Sequence, residues 1–232
     1  MQAVVLAAGE GKRLRKYFPR FIKPLVPING HPLVTYTLDK IITAGTGIGE
    51  IFVVIKPEYE QVFRQILKNY PVKYLYQKKA EGTARAVLSG ERVIKRDFLL
   101  SYCDLITNFN YRRLLEFHDK FKPLATLVVK KDHNRDNEVV VKGYRVIKIV
   151  EKPKKSFSEY TAIGVMCLSP KIFKYLKKVN PGINREYHLP VAINMAIREK
   201  EAVYALKTSA FRINLNTKED IDNLPDRLIN KF

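Results

Sequence analysis

Short β-like runs alternate with longer amphipathic stretches over roughly the first 130 residues. The runs are short and mostly apolar, which is typical of strands buried in a central sheet: 2–6, 51–55, 72–76, 98–103 and 125–129. The longer stretches repeat their apolar residues at helical spacing and predict helices over 31–44, 59–67, 83–94 and 111–121. In the first of these, Val34, Leu38 and Ile41 lie on one helical face.

Strands that alternate with helices predict an α/β fold, with a Rossmann-like, mostly parallel mixed central sheet flanked by helices. Ligands of such sheets bind at the carboxyl ends of the strands. The loops after Leu6, Tyr76 and Cys103 are therefore the first places to search for a site.

The rhythm changes after about residue 130, where Gly143 and Tyr144 separate two β-like runs that predict a hairpin. The later predicted elements are two helices and three strands, followed by a helix capped by Thr217: strands 161–168, 203–206 and 211–215, and helices 170–178 and 186–199. We interpret residues 1–232 as one domain. Residues 1–130 form its first part, and residues 131–232 are an insertion-like second part on the same sheet.

The chain is strongly basic, with 42 Lys and Arg against 23 Asp and Glu and a formal net charge of +19. This charge favours anionic partners: nucleic acid, an acidic membrane surface or phosphate-bearing small molecules. No apolar stretch approaches the roughly 20 residues that cross a bilayer. The two cysteines, Cys103 and Cys167, lie in apolar runs and are expected to be buried reduced thiols. These features predict a cytoplasmic protein that does not bind a membrane.

A Gly-x-Gly turn follows the first predicted strand, and its glycines allow several backbone N–H groups to point at one phosphate. Leu14 stands where the dinucleotide fingerprint needs a third glycine, and Arg13 stands where the Walker loop needs Ser or Thr. Both of those known phosphate loops are therefore excluded. Residues 9–23 contain one acidic residue, Glu10, and six basic residues: Lys12, Arg13, Arg15, Lys16, Arg20 and Lys23. Their mutual repulsion favours a bound anion.

Residues 6–33 resemble the sugar-1-phosphate nucleotidyltransferases, also called NDP-sugar pyrophosphorylases, and are most similar to the glucose-1-phosphate uridylyl- and thymidylyltransferases. The resemblance rests first on LAAG-x-G-x-R-L and on a Lys-Pro element ten residues after its arginine. Further motifs follow in the family's order: Gln77 with Gly82-Thr83-Ala84, Asp104 after a strand, Glu151-Lys152-Pro153, Gly164, and residues 211–220. The resemblance implies a Rossmann-like nucleotidyltransferase fold with a smaller, hairpin-bearing sugar-binding region.

The resemblance also implies a reaction in which a sugar-1-phosphate oxygen attacks the α-phosphorus of an NTP and pyrophosphate leaves. Such a transfer depends on positioning and charge neutralisation. Arg13, a planar donor, suits the leaving pyrophosphate, and Lys23, a point charge, suits the α-phosphate. The nucleotide-binding residues are expected to be Leu6, Ala8, Gly9, Gly11, Lys12, Gln77, Gly82 and Thr83. We expect the Gln77 amide to bind the O4 and N3–H edge of uracil or thymine.

The other implied residues belong to the acceptor and the metal. Glu151, Lys152 and Gly164 are expected to bind the sugar phosphate. Asp104 and Asn214 are expected to bind Mg²⁺, and Asn214 stands where many relatives have a second aspartate. The sugar side departs from the family pattern at three places: Glu138, Ala162 and the pair Pro190-Val191.

These departures leave the acceptor open. UTP or dTTP and a sugar-1-phosphate are the favoured substrates, and a cytidylyltransferase acting on inositol or another polyol phosphate is the alternative within this class. The alternative from another class is a non-catalytic nucleotide- or nucleic-acid-binding protein, which the net charge of +19 supports. No aromatic–basic stacking pattern of an RNA-binding module is evident, so we expect no nucleic-acid partner. A homo-oligomer is possible.

Overall fold

The computed structural model describes residues 1–9, 11–45, 47–132, 137–182 and 185–224. The strands in these ranges, in chain order, are β1 Gln2–Leu6, β2 Pro27–Ile28, β3 His31–Pro32, β4 Glu50–Ile55, β5 Val72–Tyr76, β6 Phe98–Tyr102, β7 Leu105–Thr107, β8 Ala125–Lys131, β9 Asn137–Lys142, β10 Arg145–Glu151, β11 Tyr160–Leu168, β12 Val203–Lys207 and β13 Arg212–Asn214. The helices are α1 Lys12–Arg15, α2 Leu33–Thr43, α3 Glu60–Ile66, α4 Thr83–Leu88, α5 Tyr111–Phe121, α6 Ile172–Leu176, α7 Leu189–Arg198 and α8 Lys218–Asp222.

The large sheet has the order β5-β4-β1-β6-β11-β8-β12-β10-β9, and β9 also pairs with β11. Strands β5, β4, β1 and β6 are parallel, whereas β11 runs antiparallel to both of its neighbours β6 and β8. The predicted α/β fold with a mixed central sheet is therefore confirmed. The carboxyl ends of β1 and β6 lie side by side, which places the loops after Leu6 and Tyr102 together.

The central strands β1, β4, β6 and β8 are buried on both faces, which explains their near-continuous apolar runs. On one face, Ala3 and Val5 of β1 pack in a cluster with residues of α2, α3 and α5. On the other face, Val4 packs in a cluster with residues of α4, α6 and α7. The alternation along β1 thus anchors the strand from both sides immediately before the glycine-rich loop.

Five predicted helices are shorter than expected, and the structure shows the cause for three of them. The first begins at Leu33, because His31–Pro32 pairs with Pro27–Ile28 in a small two-stranded sheet. The helix from Thr83 ends at Leu88, and Gly90 then lies against Ile94, where an added Cβ would come within 2.4 Å of its side chain. The helix predicted over 186–199 begins at Leu189, because the preceding His188 has an extended backbone.

The hairpin predicted around Gly143 is present as β9 and β10, with a register shift between Val146 and Lys148. Within the described ranges, no helix has both the length and the apolar character needed to span a membrane. The division into a first and a second part of one domain stays a prediction.

Candidate active site

The glycine-rich loop after β1 brings the chain close to Lys23. Gly11 has a φ of 58°, in the left-handed region that favours glycine. A Cβ on Gly11 would lie 2.3 Å from Lys23 Cβ, a distance that atoms cannot occupy. Both the left-handed backbone and the close contact with Lys23 therefore require a glycine at position 11. Gly11 is the last residue of the loop before α1.

A glycine is also required at position 82, directly before α4, where φ is 95°. A Cβ there would lie 2.6 Å from the backbone oxygen of Tyr187, which accepts a hydrogen bond from the N–H of Ala84. The side chain of Thr83 accepts a hydrogen bond from the N–H of Leu189 at 3.0 Å. The turn before α4 is thereby fastened to the segment that leads into α7.

Gln77 follows β5 and is buried, with 8% of its surface exposed. Its Nε2 donates to the backbone oxygen of Gly82 at 3.0 Å, which fixes the amide plane beside the Gly82 turn. An amide held in this way keeps an acceptor oxygen and a second N–H that can pair with one edge of a base.

Lys23 lies at the centre of a polar cluster. Its Nζ donates to Asp104 Oδ2 at 2.5 Å and to Asn216 Oδ1 at 2.9 Å. Asp104 lies between β6 and β7, and its backbone oxygen accepts from the N–H of Leu215 at 3.1 Å. This backbone contact joins the end of β6 to the segment after β13.

One cavity of about 550 Å³ is lined by the glycine-rich loop, Gln77, the Gly82 turn, Lys23 and Asp104. Nine of the predicted nucleotide and catalytic residues line it, together with Asp104: Leu6, Ala8, Gly9, Gly11, Lys12, Lys23, Gln77, Gly82 and Thr83. Arg13 does not line the cavity; it is exposed on α1, next in sequence to the cavity-lining Lys12. Residues without a predicted role also contribute to the wall: Pro24, Ala80, Ala86, Tyr102, Cys103 and Glu186.

Of the predicted acceptor residues, Glu151 and Lys152 line neither the large cavity nor a second, smaller one, and Tyr102 lines both cavities. Gly164 lines the smaller cavity, and a Cβ on it would contact Tyr102 Cδ2 at 3.4 Å. Glu151 Oε2 lies 2.8 Å from His188 Nδ1. Lys152 is exposed and has a φ of 45°, an unusual backbone conformation for a lysine, of the kind found at functional sites.

The smaller cavity is mostly apolar. Its walls combine one asparagine and Tyr102 with aliphatic and small side chains: Asn137, Ile149, Ala162, Gly164, Met166, Leu189, Pro190 and Ile193. Two of the three departures from the family pattern, Ala162 and Pro190, thus lie at this cavity. The third, Glu138, is buried and accepts hydrogen bonds from the N–H groups of Phe157 and Ser158 at 2.7 and 3.1 Å, so it holds a loop.

Burial and charge perturb two groups at the end of β6. Burial raises the pKa of Tyr102, and the nearby carboxylates of Glu151 and Asp104 raise it further. Burial also raises the pKa of the Cys103 thiol to about 12, with Asp104 adding to the effect. Both side chains are therefore neutral at physiological pH, and Cys103 has no reactive thiolate, as its predicted burial required.

The site fits Mg²⁺, a hard cation that takes oxygen ligands and shares them with substrate phosphates. Asp104 supplies a carboxylate at the cavity, and the amide oxygen of Asn216 lies at the same cluster. Asn214 ends β13 opposite Leu105, and its side chain has no hydrogen-bond partner among the described residues. In those residues, no group of three or more His, Cys, Asp and Glu side chains is arranged to hold a metal.

The sequence profile of the family described as nucleotidyl transferase matches residues 2–212. The chain belongs to this family, which confirms the resemblance inferred from the motifs. It is therefore an enzyme of the nucleotidyltransferase class.

Curated relatives support this membership. The chain is 29% identical to UTP–glucose-1-phosphate uridylyltransferase AglF of Haloferax volcanii, over 98% of this chain and 96% of the relative. The whole of this chain aligns with the bifunctional protein GlmU of Methanococcus maripaludis at 28% identity. It spans only 55% of that longer relative.

Solved structures share the fold. A putative glucose-1-phosphate thymidylyltransferase from Bacillus anthracis superimposes with a TM-score of 0.85 at 21% identity, covering 99% of both chains. The inositol-1-phosphate CTP transferase from T. maritima gives a TM-score of 0.84 at 21% identity, covering 99% of this chain and 95% of the other. These likenesses confirm the Rossmann-like nucleotidyltransferase fold.

Sequence reasoning overlooked Asn216 and Tyr102 as residues of the site. Asn216 lies two positions after Asn214, on a segment where Ile213 and Leu215 pack in an apolar cluster. The period of two along an extended segment was a signal that Asn214 and Asn216 share the opposite face. No comparable signal pointed to Tyr102, whose position between two cavities depends on the tertiary fold.

Proposed function

We propose that the chain is a Mg²⁺-dependent nucleotidyltransferase that transfers a nucleotidyl group from UTP or dTTP to a sugar-1-phosphate and releases pyrophosphate. The observation that carries this proposal is a cavity of about 550 Å³ at the carboxyl ends of the parallel strands. The glycine-rich loop, a lysine, a carboxylate and a polar base-binding candidate all line it. The name of the 29% identical Haloferax volcanii relative supports the sugar-1-phosphate acceptor.

The nucleotide would lie with its phosphates against the loop after β1. Backbone N–H groups around Gly9 and Gly11 are free of side chains that would keep a phosphate away. Lys23 neutralises charge at the α-phosphate, and the exposed Arg13 reaches the departing pyrophosphate from α1. Bound Mg²⁺ supplies charge neutralisation on the phosphates, and Asp104 is the carboxylate that would hold it.

The acceptor would enter from the side of Tyr102. We assign the acceptor phosphate to Lys152 and the remainder of the acceptor to Glu151 and Gly164. The phosphate is already ionised at neutral pH, so the attack needs no general base from the protein. Positioning of the phosphate oxygen in line with the α-phosphorus is then the main contribution of these residues.

The decisive experiment measures pyrophosphate release with Mg²⁺, with each of the NTPs UTP, dTTP, CTP, GTP and ATP tested against glucose-1-phosphate and a panel of other sugar and polyol phosphates. Asp104→Ala should abolish release, and Asp119→Ala, at an exposed position on α5, should not. Release by Asp104→Ala equal to that of the wild type would contradict the proposed site. Silence with every pair, together with salt-sensitive retention on nucleic acid, would favour the non-catalytic alternative.

Base preference tests the role of Gln77. Gln77→Ala should reduce the preference for UTP or dTTP over CTP, and Gln65→Ala on the exposed side of α3 should leave it unchanged. Loss of two hydrogen bonds to the base predicts a change of about tenfold or more in relative kcat/KM. An unchanged preference would remove Gln77 from the base site.

A cytidylyltransferase acting on inositol or another polyol phosphate is the second candidate. The fold it would need is that of the inositol-1-phosphate CTP transferase, which superimposes with a TM-score of 0.84. Release of pyrophosphate with CTP alone, and with a polyol phosphate as acceptor, would select this candidate.

A further inference from the structure

Four aromatic side chains from three segments meet on one surface of the protein, and we call them the aromatic patch: Phe117 and Phe121 on α5, Tyr144 at the tip of the hairpin between β9 and β10, and Tyr204 on β12. The centroids of neighbouring rings are 4.8 to 6.5 Å apart. Phe121 and Tyr144 nevertheless remain 48% and 66% exposed. Single exposed apolar side chains are common, whereas a cluster of them marks a contact surface.

Basic side chains border the aromatic patch. Four exposed basic residues lie within two positions of its members: Lys120, Lys122, Lys142 and Arg145. Lys120 Nζ lies 5.4 Å from the ring centroid of Phe121, and the guanidinium carbon of Arg145 lies 5.7 Å from that of Tyr204. None of the four forms an ion pair with a carboxylate of the described residues. Their charge is therefore available to an anionic partner.

The geometry of the rings favours a lipid surface over a nucleic acid. The rings meet tilted or edge-on, at interplanar angles of 47 to 86°, so neighbouring side chains cover part of each other's faces. Bases bind proteins by stacking on open ring faces. The aromatic patch instead offers apolar area beside positive charge. That combination suits the zone of a bilayer where acyl chains meet anionic headgroups.

A second copy of the chain fits the aromatic patch less well. In a two-fold dimer the same surface faces itself, so the basic residues of one copy would face those of the other. The exposed acidic side chains on α5 are Glu116 and Asp119, which are fewer than the bordering cations. The net charge of +19 adds repulsion between copies at longer range.

We propose that the aromatic patch is a docking surface for an anionic lipid bilayer, with Phe121 and Tyr144 in the interfacial zone and the bordering lysines on headgroup charges. The inference goes beyond the proposed function and does not depend on it, because no member of the patch lines either cavity. The sequence predicted no membrane partner on the ground that no segment could span a bilayer. Binding at the surface requires no such segment.

Flotation of the full chain with lipid vesicles at about 150 mM KCl tests the proposal. The anionic vesicles contain phosphatidylcholine with about 30% phosphatidylglycerol, and vesicles of phosphatidylcholine alone are the comparison. The chain should bind the anionic vesicles at least about tenfold more tightly. A chain of net charge +19 is attracted to any anionic surface, so variants of the patch decide whether it carries the binding.

The aromatic variant combines Phe121→Ala with Tyr144→Ala. It should bind anionic vesicles about tenfold more weakly or worse, because both rings lose their contact with the bilayer. Phe157→Ala is the matched control and should bind within about twofold of the wild type. Phe157 is 42% exposed and has Lys148 Nζ 5.3 Å from its ring centroid, but it lies outside the patch.

The charge variant combines Lys120→Gln with Lys142→Gln, two exposed substitutions that leave the core intact. It should weaken binding to anionic vesicles about tenfold. Lys68→Gln with Lys78→Gln removes the same charge on either side of β5, at the other edge of the large sheet. This control should bind within about twofold of the wild type.

Three results would overturn the proposal. The first is no binding of the wild-type chain to anionic vesicles, or equal binding by the wild type and the aromatic variant. The second is retention on single-stranded RNA that the aromatic variant loses, with no binding to vesicles, which would assign the patch to a nucleic acid. The third is a dimer in sedimentation that the aromatic variant loses, again with no binding to vesicles, which would assign it to a second copy.

Discussion

At the scale of single residues, the site depends on places where a side chain is excluded. Gly11 combines a φ of 58° with a close approach to Lys23. Gly9, two positions earlier in the same loop, has nothing within 4 Å of an added Cβ. Substitution at Gly11 therefore tests the need for space beside Lys23, whereas substitution at Gly9 tests only the need for a flexible loop.

Gly11→Ala should lower both stability and activity. The added methyl would meet Lys23 Cβ at 2.3 Å and strain the backbone, which predicts a loss of about 1–3 kcal/mol in the free energy of unfolding. Displacement of Lys23 should also lower kcat by about tenfold or more. Denaturant unfolding and pyrophosphate release measure the two effects.

Gly9→Ala is the control for this prediction, and its free energy of unfolding should stay within about 0.5 kcal/mol of the wild-type value. Equal losses in both variants would show that the loop requires flexibility at every position. In that case the contact between Gly11 and Lys23 would have no special role.

At the scale of elements, α5 carries a buried polar contact to the sheet. His118 on α5 is fully buried, and its Nδ1 lies 2.8 Å from Thr126 Oγ1 on β8. Its Nε2 lies 3.5 Å from Asp97 Oδ2 and has no hydrogen-bond partner among the described residues. Burial lowers the pKa of His118, and Asp97 only partly opposes this effect.

This lowered pKa predicts acid sensitivity of the fold. The unfolded chain binds a proton to His118 near its ordinary pKa of about 6.5, whereas the folded chain binds it only at lower pH. Stability from this group is therefore fully present above about pH 6.5. It decreases as the pH falls below that value, by at most about 1.4 kcal/mol per pH unit.

Denaturant unfolding between about pH 5 and pH 8 measures this effect. His118→Asn should show a flatter profile over that range, and His31→Asn, at an exposed position, should keep the wild-type profile. An identical pH dependence in the His118→Asn variant would refute the assignment.

At the scale of the whole molecule, the net charge of +19 acts on every anionic ligand. The side chains that line the large cavity balance Lys12 and Lys23 against Asp104 and Glu186, so the excess positive charge lies outside the lining. An NTP carries several negative charges, so the field of the chain increases its rate of association at low ionic strength.

Raising KCl from about 50 to about 500 mM should therefore lower kcat/KM for the NTP several-fold, because the Debye length shortens from more than 10 Å to a few Å. Sucrose at matched osmolality is the control and should have little effect. A kcat/KM that does not change with salt would show that the excess charge serves another purpose, such as solubility or a macromolecular partner.

The strand–helix alternation, the family and most of the residues that line the large cavity were predictable from the sequence. They were predictable because periodicity and local turn chemistry are properties of neighbouring residues, such as Gly9 and Gly11 after β1. The end of α4 at Leu88 and the start of α7 at Leu189 were less predictable, because both lie at packing contacts. Gly90 packs against Ile94 after α4, and the N–H of Leu189 donates to the side chain of Thr83.

Which side chains face each other across the site depends on long-range packing and could not be predicted. Lys23, Asp104 and Asn216 are far apart in sequence, and their contact depends on the pairing of β13 with β7 and on the capping box of α8. Tyr102 lies between the two cavities for the same kind of reason. Contacts between distant segments depend on strand order and register, which no local pattern encodes.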